Sequence, residues 1–435
     1  MTTVIAFQNA IVFAVNLADN IMLSQYSEAA LSGVSLVNQI QYLLQMLVMG
    51  ISEGALIFAS RSWGEKDTAS IKSISNIALK FSISVSMILG LIMLFFPSGI
   101  LGLLSDSTKF VSEGTKYAVI IAFSYPIFAI SRSLLMMLRS VETVKIGFYV
   151  SLSTLIINIC LNYLLIYGNL GFPEMGVRGA AFATLISRII EMIVIAFFVF
   201  KTDKKVRLKL SDLIKPSDRE QLKGYIKHGS PVFLSSLTWG IAMAFQTAIL
   251  GHMGENAISA NAVSSTVFQI VSVFLYGSAS ASSVIISKMI GEGKTDMIKP
   301  CTRALQLLFL GFGLATGVTL FILRIPILTL YTKLSPASAN LALNFMTVLS
   351  FTSIGTAYQM PVLTGIVRSG GETDFVLKND LIFMWLIILP ASVLCAFIFK
   401  FPPLAVYACL KCDQILKCSV AAIKVNRYKW IKKIR

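Results

Sequence analysis

The sequence predicts an all-α integral membrane protein with twelve transmembrane helices in two six-helix lobes related by a parallel internal repeat. Three observations predict it. Of 435 residues, 56% are hydrophobic and only 13% charged, with a mean hydropathy of +0.78, whereas soluble domains carry about 25% charged residues. Apolar stretches of about 20 residues, the length needed to cross a hydrocarbon core of ~30 Å, recur along the whole chain. The two halves also match one another at a near-constant shift. Too few charges remain to coat a water-soluble enzyme, and the composition equally excludes a disordered chain or a disulfide scaffold. Period-two alternation is absent, which excludes transmembrane strands.

The apolar stretches run 1–23, 35–60, 76–101, 115–138, 146–167, 177–200, 227–250, 262–289, 302–325, 341–366, 378–400 and 403–423. Lys411, Asp413 and Lys417 interrupt the last. Pro126 and Pro361 fall inside the fourth and tenth, where a missing N–H kinks a helix. The first six spans form an N-terminal lobe, 1–200, and the last six a C-terminal lobe, 227–423. A basic linker, 201–226, carries Lys201, Lys204, Lys205, Arg207, Lys209, Lys215, Arg219 and Lys223, and a basic tail follows at 424–435.

The net charge of +16 follows the same plan. Arg61, Lys66 and Lys72, then Arg139 and Lys145, Lys288, Lys294 and Lys299, and Arg368 and Lys378 all follow even-numbered spans. The segments 24–34 and 251–261 contain no Lys or Arg. The positive-inside rule then places both termini and the linker in the cytoplasm of a multi-pass cell-membrane protein. Topology accounts for the basic excess and leaves no role for nucleic acid. Membrane lipids are the implied surroundings, and the expected state is a monomer.

At a shift of 227 residues Leu23 meets Leu250, Glu28 meets Glu255, Ala30 meets Ala257, and Ser32 meets Ser259. Gly64-Glu65 meets Gly291-Glu292, Thr68 meets Thr295, and Ile71-Lys72 meets Ile298-Lys299. After a small slip Arg139-Ser140 pairs with Arg368-Ser369, and Glu142-Thr143 with Glu372-Thr373. Six spans per half is an even number, so both halves enter from the same side, a plan found in secondary transporters. Span seven has a polar lead-in, Leu222–Gly229, and span one has none. The repeat thus leads us to expect a missing or misassigned N-terminal segment.

An ionisable side chain inside a span marks a functional site by default. Asp19, late in span one, is such a residue, and its repeat counterpart is the neutral Gln246. Asn158 and Asn162, four apart, share one helix face in span five, and Thr184 lies in span six. One carboxylate, two amide oxygens and a hydroxyl suit a small hard cation. The same carboxylate can instead carry a proton, and the asparagines alone also suit helix–helix hydrogen bonding. Gly179, Ala180, Ala181 and Ala183 indicate close helix packing.

Glu53 is a weaker candidate in span two, and Asp380 is a possible accessory acid opening span eleven. Arg188 with Glu191, and Asp413 with Lys417, are spaced to pair along a helix. Gln39, Met46, Trp239, Gln246 and Gln269, with Met22, are candidates to line a substrate cavity. Cys409, Cys412 and Cys418 lack a second ligand pair at zinc spacing and belong to helix packing. Gly370-Gly371 reads as a turn. No phosphate-binding loop and no nucleophile–base set is present, so the reading is a non-enzyme without cofactor, driven by an ion gradient.

Four segments together resemble the MATE family, the multidrug and toxic compound extrusion transporters: Asn16-Leu-Ala-Asp-Asn-Ile-Met22, Asn158-Ile-Cys-Leu-Asn-Tyr-Leu-Leu-Ile-Tyr-Gly168, Gly171-Phe-Pro-Glu-Met-Gly-Val-Arg-Gly-Ala-Ala181 and Arg368-Ser-Gly-Gly-Glu-Thr-Asp374. The resemblance covers essentially the whole chain. It implies two lobes around a V-shaped cavity and export of small organic, often cationic compounds against Na⁺ or H⁺ by alternating access. It places the family's N-lobe cation site on Asp19, Asn158, Asn162 and Thr184. Some branches carry Asp at the position of Asn162, so Asp19 is the sole acid here. Other branches carry a carboxylate where Trp239 stands, so the C-lobe cation site of those branches is in doubt. A proline expected near Val4 is missing. The alternative is a flippase for a lipid-linked sugar or other amphipathic lipid, disfavoured by the scarcity of intramembrane Arg and Lys. An integral-membrane enzyme would need acidic metal-binding clusters that are not seen.

Overall fold

The computed structural model describes residues 2–104, 107–329 and 335–432, and every element among them is helical. The chain divides into two compact units, residues 3–233 and 234–435. A backbone that cannot reach water must bond within its own segment, and apolar runs of this length do so as helices.

The first unit contains α1 (Thr2–Tyr26), α2 (Glu28–Gly64), α3 (Thr68–Phe95), α4 (Pro97–Gly102), α5 (Thr108–Ile121), α6 (Ser124–Ser140), α7 (Lys145–Tyr167), α8 (Val177–Phe197) and α9 (Leu210–Ile214). The next helix, α10 (Arg219–Gly251), continues into the second unit. Helices outrun the apolar stretches that forecast them. α2 has 37 residues, which at 1.5 Å per residue reaches about 55 Å, because polar ends such as Arg61-Ser62 stay helical beyond the apolar run. α5 and α6 meet at a 53° bend. Pro126 has no N–H to give to Ala122, and the chain breaks there as the sequence predicts. Side chains of α1, α2, α5, α6, α7 and α8 meet in one core that includes Leu23, Val34, Tyr117, Tyr125, Phe128, Ile166 and Ala180.

α8 lies along α7. A Cβ on Gly179 would stand 2.3 Å from the Leu165 carbonyl oxygen, so only glycine permits this approach. Ala180, Ala181 and Ala183 are buried beside it. The small residues therefore mark close packing, as read from the sequence.

The basic linker is not a loose connection. Val206, Leu208 and Leu213 are buried and anchor it against the first unit. Lys205 Nζ donates to Val141 O at 2.5 Å, and Asn76 Nδ2 to Lys215 O at 2.9 Å. Lys72 pairs with Asp212 at 3.4 Å. α10 already begins at Arg219, ahead of the expected 227. Three apolar anchors hidden among many lysines were enough to order the segment.

The second unit continues with α11 (Glu255–Gly291), α12 (Thr295–Thr329) and α13 (Pro336–Met360), then α14 (Thr373–Asp380), α15 (Leu389–Val393), α16 (Pro403–Lys411) and α17 (Asp413–Asn426). α13 passes at Pro361 into a π-helical stretch, Pro361–Val367, where the missing N–H forces a wider turn. Wide turns also fill Leu381–Ile388 and Leu394–Ile398. Some element bounds recur at the same spacing. α2 and α11 both have 37 residues, and α3 and α12 open on Thr68 and Thr295, at the 227-residue shift.

Among the described residues nine helices are long and apolar enough to cross a membrane, or ten when α5 and α6 count as one bent span. The first and last of the twelve expected spans are not in that set. In the last, Lys411, Asp413 and Lys417 dilute the apolar run, and it divides into α16 and α17 at Cys412.

The C-terminal tail packs on the second unit. Trp430 is fully buried, donates from Nε1 to Val425 O at 2.8 Å, and covers Gly370, where a Cβ would stand 2.2 Å from the indole. Lys432 N donates to Gly370 O at 2.7 Å, and Lys424 and Lys432 pair with Glu372 at 3.4 and 2.9 Å. Gly371, at φ 104°, makes the turn read from Gly370-Gly371. Lys433 and Arg435 lie outside the described residues.

Candidate functional site

Asp19, Asn158, Asn162 and Thr184 come from α1, α7 and α8, and the fold of the first unit brings all four together. Each is buried, the two asparagines completely. Asn162 Nδ2 donates to Asp19 Oδ1 and to Asn158 Oδ1 at 3.2 Å. Thr184 Oγ1 donates to Asp19 Oδ2 at 3.4 Å, and Asn158 Nδ2 reaches Thr184 Oγ1 at 3.4 Å. The spacing of four along α7 stacks the two amides, and the close α7–α8 approach at Gly179 carries Thr184 to them.

The carboxylate thus meets only neutral partners at hydrogen-bonding distance. Among the described residues Asn162 Oδ1 is buried without a hydrogen-bond partner. A buried, unsatisfied acceptor costs about 1–3 kcal/mol. Beside a carboxylate it is a vacant oxygen ligand, which fits a small cation. Tyr117 on α5 is buried against the same cluster and interacts with Thr184 and Gln41. Arg188, one turn beyond Thr184, lends the site positive potential. Neither Tyr117 nor Gln41 was among the candidates. A phenol in an otherwise apolar span was the available signal.

Two further first-unit candidates are paired. Arg188 Nη1 meets Glu191 at 3.0 Å as spaced, and Glu53 meets Arg139 at 3.6 Å. Of the cavity candidates on α2, Gln39 is exposed and Met46 half-buried.

In the second unit the candidates separate. Trp239 is half-buried on α10, and Gln269 is exposed on α11. Gln246 is buried. Its Oε1 accepts from Lys411 Nζ at 3.0 Å, and its Nε2 faces Met384 Sδ at 3.4 Å. Asp380 is an ion-pair member: Lys417 Nζ reaches Asp380 at 3.0 Å and Asp413 at 3.5 Å. The pairing of Asp413 with Lys417 was legible, and its third member was not. Gln414 donates to both Asp413 oxygens and accepts from Gln359 at 2.9 Å. A separate open cavity of about 390 Å³, lined by Met253, Asn256, Asn340, Asn344 and Pro403, contains none of the candidates. Cys409, Cys412 and Cys418 are free thiols on α16, at its end and on α17.

Comparison with known proteins gives a consistent result. The MatE family model matches residues 5–164 and 231–405. An uncharacterized transporter of Bacillus subtilis, YisQ, is 24% identical, covering 87% of this chain and 82% of its own length. A probable multidrug resistance protein, NorM, of Thermotoga maritima is 23% identical over 98% of this chain and 91% of its own. The crystal structure of a eukaryotic MATE transporter, AtDTX14, has the same fold, with a TM-score of 0.88 at 17% identity, over 99% of this chain and 95% of that one.

Proposed function

The chain belongs to the MatE family, and from that premise we propose that it is a cation-coupled antiporter that exports small organic compounds by alternating access. It works as two six-helix lobes, 1–200 and 227–423, related by a parallel repeat. It resides in the cell membrane as a monomer, with both termini in the cytoplasm. The name of the Thermotoga relative, a probable multidrug resistance protein, supports drugs or toxic compounds as the cargo.

One observation carries the reading. Asp19 is buried in a membrane helix among neutral oxygens, beside an amide oxygen without a partner. An isolated carboxylate there is costly, so it favours whichever conformation supplies Na⁺ or H⁺. For Na⁺, Asp19 provides the charge, Asn158 and Asn162 their amide oxygens and Thr184 its hydroxyl. For H⁺, Asp19 is the carrier and the amides hold its neutral form. Either occupant biases the inward–outward equilibrium by its differential affinity for the two states.

The test is efflux of a fluorescent organic cation from proteoliposomes, driven separately by Na⁺ and pH gradients. Asp19→Asn is expected to abolish coupled efflux with the fold intact, and the effective gradient in wild type names the ion. Normal gradient-driven efflux by a well-folded Asp19→Asn protein overturns the assignment.

A further inference from the structure

Lys411 lies near the middle of the helical stretch 403–426, where a cation is expensive unless paired. Its ammonium donates to one neutral acceptor, Gln246 Oε1, at 3.0 Å. The rings of Phe268 and Tyr407 stand 5.7 and 5.6 Å away, near the outer limit of a useful cation–π contact. Among the described residues no carboxylate lies within ion-pairing distance of it. Asp413, two positions along, acts on Lys411 electrostatically from beyond ion-pairing distance and is itself engaged by Lys417 and Gln414. An ammonium has three donors, and Gln246 uses one. Lys411 is half-buried as a residue. By contrast Lys417, on the next helix, is paired with Asp413 and with Asp380 of α14.

We propose that Lys411 and Gln246 form a binding site for the anionic group, a carboxylate, sulfonate or phosphate, of an amphipathic organic substrate. The apolar body of that substrate packs on Phe268 and Tyr407, and Gln246 holds the ammonium in place for it. The cargo then includes zwitterions and anions as well as cations. This inference rests on the transport reading above.

The experiment compares a fluorescent carboxylate dye with a fluorescent quaternary-ammonium dye in proteoliposomes, using wild type, Lys411→Gln and Lys411→Arg. Losing a charge-assisted contact should raise the KM for the carboxylate dye about tenfold or more relative to that for the cationic dye, and Lys411→Arg should keep the wild-type ratio. Equal effects of Lys411→Gln on both dyes, or none on either, overturn the site. Wild type that moves the cationic dye alone also overturns it and leaves the transport reading standing. Wild type that moves neither dye fails the transport reading itself. Repeating the assay in phosphatidylglycerol vesicles separates the sources of the anion. A Lys411-dependent loss of dye affinity there assigns the site to a lipid headgroup and overturns a soluble cargo.

Discussion

Position 19 of the first unit and position 246 of the second correspond under the repeat, and they carry opposite polarity. Asp19 is an acid held by two asparagines and a threonine. Gln246 is neutral and holds a lysine from α16. Both sites place one formal charge among uncharged hydrogen-bond partners, on helices of unequal length, 25 residues for α1 and 33 for α10. In the Asp380–Lys417–Asp413 cluster, where Asp413 and Lys417 are buried and Asp380 half-buried, the charges answer one another. The difference separates two uses of buried charge. A charge left without an ionic partner is free to be answered by cargo or ion, and a paired one holds helices together.

The largest effect should come from breaking the paired cluster. Lys417→Ala leaves Asp413 and Asp380 facing each other without a cation, which costs about 3–5 kcal/mol. Thermal unfolding in detergent should fall steeply, and a melting curve like that of wild type would show that the cluster is not held by its lysine. Next comes the site of opposite polarity. Gln246→Asp gives Lys411 the counter-ion it lacks. Export of a carboxylate dye should then drop about tenfold relative to a cationic dye, with little change in melting temperature. An unchanged dye ratio would dissolve the contrast between positions 19 and 246.

The smallest effect lies at a helix cap. Asp67 accepts from the Ser70 hydroxyl at 2.6 Å and from its backbone N–H at 3.0 Å, capping α3. At the same point before α12 stands Lys294, which pairs with Glu292 at 2.7 Å instead. Asp67→Ala should cost about 1 kcal/mol. The Ser70 hydrogen bonds hold the Asp67 carboxyl below its ordinary range. Its contribution is therefore complete above about pH 4 and is lost as the pH falls through the lowered value. The stability gap between wild type and Asp67→Ala should narrow in acid, and a gap independent of pH would sink the cap.

Much of the fold and of the first site was legible because it rests on local spacing. The apolar runs, the break at Pro126, the turn at Gly371, the Arg188–Glu191 pair and the shared face of Asn158 and Asn162 all follow from helix geometry over a few residues. The anchoring of the linker was not legible because three apolar residues, Val206, Leu208 and Leu213, carry less weight in its composition than its lysines. The anchoring of the tail by Trp430 was hidden for the same reason. Asp380 joins Lys417 across 37 positions, and Lys411 meets Gln246 across 165. No local period reports such a meeting.

The sequence by itself determined a helical membrane protein of the MatE kind and named Asp19, Asn158, Asn162 and Thr184, the four polar residues that the fold brings together. Hydrophobic length and backbone hydrogen bonding leave an apolar chain few other solutions. Tertiary structure alone decided which charges stand unanswered. That depends on the close approach of helices distant in sequence: Gly179 lets α8 bring Thr184 to Asp19, and the packing of α16 on α10 sets Lys411 on a neutral amide.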